Sequence, residues 1–152
     1  RIALGTVLDG AQSSAGLGVE NGMKIKRKQS FEDIEICTDV DRLSQVFINV
    51  MSNARKYCDA PDRVLTVRIY EQADMVAVDF IDNGSGIPAD AQSMVFEKFA
   101  RVAAEKAGGA GLGLSICREI MVRLGGDIAY LPDRGGAAFR VSLPIAQEVA
   151  AQ

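Results

Sequence analysis

The segment from Val40 to Cys58 constrains this chain more than any other. The apolar residues of its stripe are Val40, Leu43, Val46, Phe47, Val50, Met51, Ala54, Tyr57 and Cys58. They are spaced by threes and ones, which makes one wide stripe at helical period. Asp39 reads as its N-cap, and Asp59-Ala60-Pro61-Asp62 ends it. A helix with such a stripe must lie on something. The segments 64–70 and 75–82 alternate or run apolar with β-branched residues, so they read as two strands joined by a turn at Glu71-Gln72-Ala73-Asp74. Further strands are expected at 23–29, 34–38, about 127–131 and 137–143. A weak helix is expected over roughly 3–14, short helical turns over 89–100, and a mobile polar loop over 101–112. Leu114, Cys117, Ile120, Met121 and Leu124 mark a second amphipathic helix over 113–124, stopped by Gly125-Gly126. The predicted fold class is α+β: a two-layer α/β sandwich, with a mixed, mostly antiparallel sheet and helices on one face.

Composition narrows the function classes. The chain has 152 residues, 48% hydrophobic and 24% charged, which suits one core. No apolar run reaches the roughly 18 residues of a membrane helix, so no membrane contact by this domain is expected. A net charge of -3, from 17 basic and 20 acidic residues, argues against nucleic-acid binding. There is no histidine. That removes a Ser-His-Asp triad, a His-ligated metal and a His general base. Cys37, Cys58 and Cys117 lack metal-type spacing, and their odd number favours reduced thiols in a cytoplasmic setting. The start at Arg1, with no signal-like segment, reads as a piece of a longer protein.

Three features break local rules. Asn49, Asn53 and Lys56 stand at i, i+4 and i+7 of the long helix, on a face beside the apolar stripe. Asn is a poor interior helix residue. The face is either a solvated polar surface or a pair of amide oxygens for a cation, with a Lys for phosphate. Asp82 continues the parity of Val76, Val78 and Phe80, so it points to their side of the strand. Asp82-Asn83-Gly84 is either a plain turn or a buried carboxylate that accepts a hydrogen bond from a ligand amine. Gly108-Gly109-Ala110-Gly111-Leu112-Gly113-Leu114-Ser115 leads straight into a helix. It is either a surface linker or a phosphate-binding approach to a helix N-terminus. Neither a Rossmann fingerprint nor a P-loop fits, because no strand precedes it and no Gly-Lys-Ser/Thr follows.

Taken in order, these blocks resemble the catalytic ATP-binding domain of sensor histidine kinases, in the GHKL (Bergerat-fold) superfamily. The N box is Gln45 to Tyr57, the first glycine box Asp82 to Pro88, the F box Val95 to Val102, and the second glycine box Gly109 to Ile116. Gly135 to Pro144 resembles the family's closing strand. The resemblance covers about 20–145.

The resemblance implies Mg2+ and ATP as cofactors. Asn49 and Asn53 would be the metal ligands, and Asn49, Lys56 and Arg101 the catalytic residues, with Arg101 reaching the γ-phosphate. Nucleotide binding would fall to Asn53, Tyr57, Asp82, Gly84, Gly86, Ile87, Phe99, Gly109, Gly111, Leu112, Gly113 and Leu114. Asp82 would accept the adenine amine, and residues 100–112 would form the ATP lid. Hydrolysing relatives carry Glu where this chain has Asn49, whose amide cannot act as a base. Two departures stand out: Ala137 where the family often has Thr, and Cys58 where Thr or Ser is common.

The resemblance further implies phosphoryl transfer from Mg-ATP to a His on a separate dimerisation and phosphoacceptor domain, then to a response regulator. Residues 1–19 would lead from that missing domain, 20–145 would be the ATP-binding domain, and 146–152 a tail. The setting would be cytoplasmic, compatible with a membrane-anchored sensor. Two alternatives share the motifs: an anti-sigma-factor serine kinase, and a nucleotide-sensing module without transfer.

Overall fold

The computed structural model describes residues 2–15, 23–27, 32–88, 111–132 and 134–146, with the side chains of 56, 57 and 111–113 outside that description. The elements run β1 (Ile2–Ala3), α1 (Leu4–Ala15), β2 (Met23–Arg27), β3 (Glu35–Ile36), α2 (Val40–Tyr57), β4 (Arg63–Gln72), β5 (Met75–Asp82), α3 (Gly111–Arg123), β6 (Asp127–Tyr130) and β7 (Ala138–Pro144). The main sheet has the order β2-β4-β5-β7-β6, and β1 and β3 form a separate pair. β2 lies parallel to β4, and the other neighbours are antiparallel. This is the expected two-layer sandwich.

α2 is the centre of the helical layer, with α1 on one side and α3 on the other. Asp39 caps it as expected, accepting from the Arg42 N–H at 3.2 Å. Its Leu43, Val46, Phe47, Val50 and Met51 are buried among Leu65, Val67, Val76, Val78, Phe80 and Val141 of the sheet. Phe47 and Phe80 meet with ring centroids 5.5 Å apart. Burying each ring is worth about 2–3 kcal/mol. α1 adds Leu4, Val7, Leu8, Ala11 and Ala15 to the same core.

α3 ends in the expected place. The Gly125 N–H bonds to the Val122 carbonyl at 3.1 Å and the Gly126 N–H to the Met121 carbonyl at 2.8 Å. This is a Schellman stop, and Gly125 supplies the left-handed residue at φ 82.

Some boundaries differ from expectation. The strand expected at 34–38 is only Glu35–Ile36, and it pairs with the unforeseen β1. The described part of the strand expected at 23–29, Met23–Arg27, is strand as expected, and 28–29 lie outside the described residues. β4 runs on to Gln72, so the turn shrinks to Ala73-Asp74. α3 begins at Gly111, so 111 and 112 belong to the helix and not to the loop expected over 101–112. The helical turns expected over 89–100 and the rest of that loop lie outside the described residues.

Asp79 lies on the opposite sheet face from the helices, at 2% exposure. Register sets it beside Arg140 of β7, which grips it with Nε at 2.7 Å and Nη2 at 2.9 Å. That bidentate pair satisfies a buried charge between β5, the central strand, and β7.

Candidate functional site

β5 delivers Asp82 to the helix side of the sheet. It pairs directly with the buried Leu65 and follows Val76, Val78 and Phe80 in one row. Asp82 is 6% exposed, so the buried reading of its parity holds. Among the described residues beyond it, 83–88, no strand follows to make a hairpin. Asp82 Oδ1 accepts two backbone N–H groups, from Gly84 at 2.9 Å and Ala137 at 3.0 Å. Its own N–H donates to the Ala137 carbonyl at 3.0 Å. Burial pushes the Asp82 carboxyl above its usual range, the Gly84 and Ala137 amides pull it back, and the nearby charge of Asp59 adds to the rise.

The backbone packs against this carboxylate with no space to spare. A Cβ on Gly136 would land on the Asp82 carbonyl oxygen, and 2.8 Å from Oδ1. A Cβ on Gly84 would sit 2.8 Å from Asp59 Oδ1 and 3.3 Å from Asp82 Oδ1. Gly86 holds a left-handed φ of 81, where a side chain would strain the turn. The next residue, Ile87, donates its N–H to the Tyr130 hydroxyl at 3.2 Å and packs against the core.

The loop after β5 is tied to the loop after α2. Asn83 Oδ1 accepts the Val64 N–H at 2.9 Å, and its Nδ2 donates to the Asp62 carbonyl at 2.6 Å. The Cys58 thiol donates to the same Asn83 oxygen at 3.3 Å, a hydrogen bond that a Ser or Thr hydroxyl at this position could also make. Ala137 serves through its backbone, so the missing Thr side chain leaves the anchor of Asp82 intact.

Asn49 and Asn53 are partly buried on α2, not spread on a solvated face. Asn49 Nδ2 donates to Cys117 Sγ of α3 at 3.7 Å. Burial pushes the Cys117 thiol up to about 11. Asn53 Nδ2 is buried and has no hydrogen-bond partner among the described residues. Two amides held in one helix face, one with an orphaned polar atom, suit a polar ligand group brought from outside. Their oxygens are the hard donors that Mg2+ takes.

Of the remaining expected site residues, Leu114 is buried in the core at the start of α3. Gly111, Leu112 and Gly113 form the first turn of α3. Lys56 and Tyr57 end α2. Phe99, Arg101 and Gly109 lie outside the described residues. The motifs do not disclose Asp59, Tyr130 or Cys117 as neighbours of the site. Tyr130 and Cys117 carry no local signal, since each meets its partner only through the packing of distant elements.

The family described as "Histidine kinase-, DNA gyrase B-, and HSP90-like ATPase" matches residues 38–147. The chain belongs to that family. This ATPase-family domain is 37% identical to the sensor protein VanS of Enterococcus faecium, over 74% of the chain and 30% of VanS. The domain therefore spans less than a third of that relative's length. The catalytic domain of the histidine kinase ThkA has the same fold, with TM-score 0.81 at 23% identity, covering 94% of this chain and 93% of that one. Full-length ShkA in complex with AMPPNP matches at TM-score 0.70 and 25% identity, covering 98% of this chain and 31% of ShkA. The domain is thus of the ATP-binding type that sensor histidine kinases carry. Among the described residues, no helix is long and apolar enough to cross a membrane.

Proposed function

We propose that this domain is the ATP-binding half of a two-component sensor histidine kinase. It transfers the γ-phosphoryl group of Mg-ATP to a His on a separate dimerisation domain, from which a response regulator takes it. The observation that carries the reading is Asp82: a buried carboxylate with Oδ1 committed to two amides, set in a cradle shaped by Gly84 and Gly136. Such a group offers its second oxygen to a ligand amine, and the adenine amine of ATP fits that demand.

Asn49 and Asn53 would hold Mg2+ through their amide oxygens. When bound, the ion neutralises charge on the ATP phosphates. Lys56 at the end of α2 binds phosphate, and Tyr57 lies against the nucleotide. Gly86, Ile87 and Leu114 would contact the nucleotide. The α3 N-terminus at Gly111 to Gly113 presents backbone N–H groups to phosphate, with Gly109, Phe99 and Arg101 completing the lid side. Positioning and charge stabilisation carry the catalysis. An Asn at position 49 cannot take a proton from water, so ATP is kept for the acceptor. The domain works on the cytoplasmic side of a sensor, and α1, expected to be a lead-in segment, is packed into the domain's own core.

The similarity to VanS and ThkA favours this reading over a serine kinase. The test incubates the chain with γ-labelled ATP, alone and with a His-bearing helical hairpin of a sensor kinase. Acid-labile label on the acceptor is expected, with ATP held nearly unreacted by the chain alone. Rapid phosphate release by the chain alone, or acid-stable label on a Ser-bearing partner, would overturn it.

A further inference from the structure

Asp59 is an exposed carboxylate one residue past the Cys58 C-cap of α2, and the site as described above gives it no role. Both its oxygens are committed to one residue of the loop after β5. Oδ1 accepts the Ser85 N–H at 2.8 Å, and Oδ2 accepts the Ser85 hydroxyl at 2.6 Å. Two bonds from one carboxylate to one residue fix that residue's position and orientation together. Ser85 follows Gly84, whose N–H is one of the two donors on Asp82 Oδ1. Asp59 and Asp82 thus approach Gly84 from two sides, and a Cβ there would touch both carboxylates.

The rest of the tie leaves this job undone. Asn83 is held to Val64 and Asp62 through its side chain, which fixes the loop one residue earlier. Tyr130 holds Ile87, two residues later. Between them, the Gly84-Ser85-Gly86 stretch contains two glycines and has the widest backbone freedom in the loop. Among the described residues, Asp59 is the group that grips its middle.

We propose that Asp59 is a positioning residue for adenine recognition: by holding Ser85 it fixes the Gly84 N–H, which sets the Asp82 carboxylate with its second oxygen toward the base amine. This rests on the reading of Asp82 as the adenine acceptor. The route is mechanical and local. It runs from the end of α2 through Ser85 and Gly84 to Asp82, and it does not involve the asparagines that would hold the metal.

The test uses the full 152-residue chain and competition against a fluorescent ATP analogue. Asp59→Ala should weaken ATP binding about threefold to tenfold, the scale of a lost hydrogen-bond anchor. ITP has a carbonyl oxygen where ATP has the amine, so its affinity should not fall. Asp59→Asn should restore ATP binding, because its oxygen can accept the Ser85 N–H and its NH2 can donate to the Ser85 hydroxyl. Equal losses for ATP and ITP, an unchanged ATP affinity in Asp59→Ala, or no rescue by Asn would each overturn the proposal. Asp82→Asn is measured alongside. If it binds ATP like the wild type, the adenine reading itself fails; if it loses ATP while Asp59→Ala does not, only the positioning role fails.

Discussion

Asp82→Asn separates what this carboxylate does for the ligand from what it costs the fold. In the structure, Oδ1 receives the Gly84 N–H at 2.9 Å and the Ala137 N–H at 3.0 Å. An Asn side chain can meet two N–H donors only with its oxygen. Its NH2 must then occupy the place of Oδ2, where the base amine arrives, and two donors face each other. The variant loses a charge-assisted hydrogen bond, roughly 1.5–3 kcal/mol, and gains an unsatisfied buried donor, roughly 1–3 kcal/mol. A total of about 2.5–6 kcal/mol weakens ATP binding by between about two and four orders of magnitude. Stability should move the other way. Burial is the main reason that the folded-state pKa of Asp82 lies above the ordinary 3.8. The folded state therefore binds this proton more tightly than the unfolded state. The contribution of Asp82 to stability falls as pH rises from 3.8 through the folded value, and stays reduced above it. Asn has no such loss. At pH 7 without nucleotide the variant should melt no lower than the wild type, and its advantage should shrink as pH falls through that window. Thermal melts across pH, with titration of a fluorescent ATP analogue at pH 7, check both halves. Equal ATP affinity in the two proteins would refute the assignment of Asp82, and a variant that melts lower at pH 7 would refute the burial argument.

Asn53→Ala removes a buried amide nitrogen that has no partner among the described residues, and Ala is about 0.5 kcal/mol the better helix former. The variant should melt no lower than the wild type while losing the magnesium-dependent part of the ATP-induced shift in melting temperature; retention of that shift would remove Asn53 from the metal site. Gly136→Ala drives a methyl into the Asp82 backbone and should cost about 3 kcal/mol or more in urea unfolding. Gly10→Ala, in an α1 position with nothing within 4 Å, should gain about 0.5–1 kcal/mol in the same assay.

The sequence alone determined the elements whose side chains repeat at a fixed period. α2 was legible because its apolar stripe recurs at helical spacing under an Asp cap, and β5 because Val76, Val78 and Phe80 alternate. The same parity carried Asp82 to the buried side, and the order of the motif blocks carried the family. Tertiary structure alone decided the pairings between distant residues. Asp79 meets Arg140 because β7 lies beside β5 in one particular register, and nothing within either strand announces it. Ser85 meets Asp59, Ile87 meets Tyr130 and Asn49 meets Cys117 because α2, β5, β6 and α3 converge on one end of the sheet. The start of α3 at Gly111 was also beyond the sequence, since glycines carry no side-chain periodicity and backbone hydrogen bonding sets where the helix begins. Local patterns record which face of an element is buried. The partner that a polar group finds there depends on strand order and register, which the hydrophobic pattern leaves open.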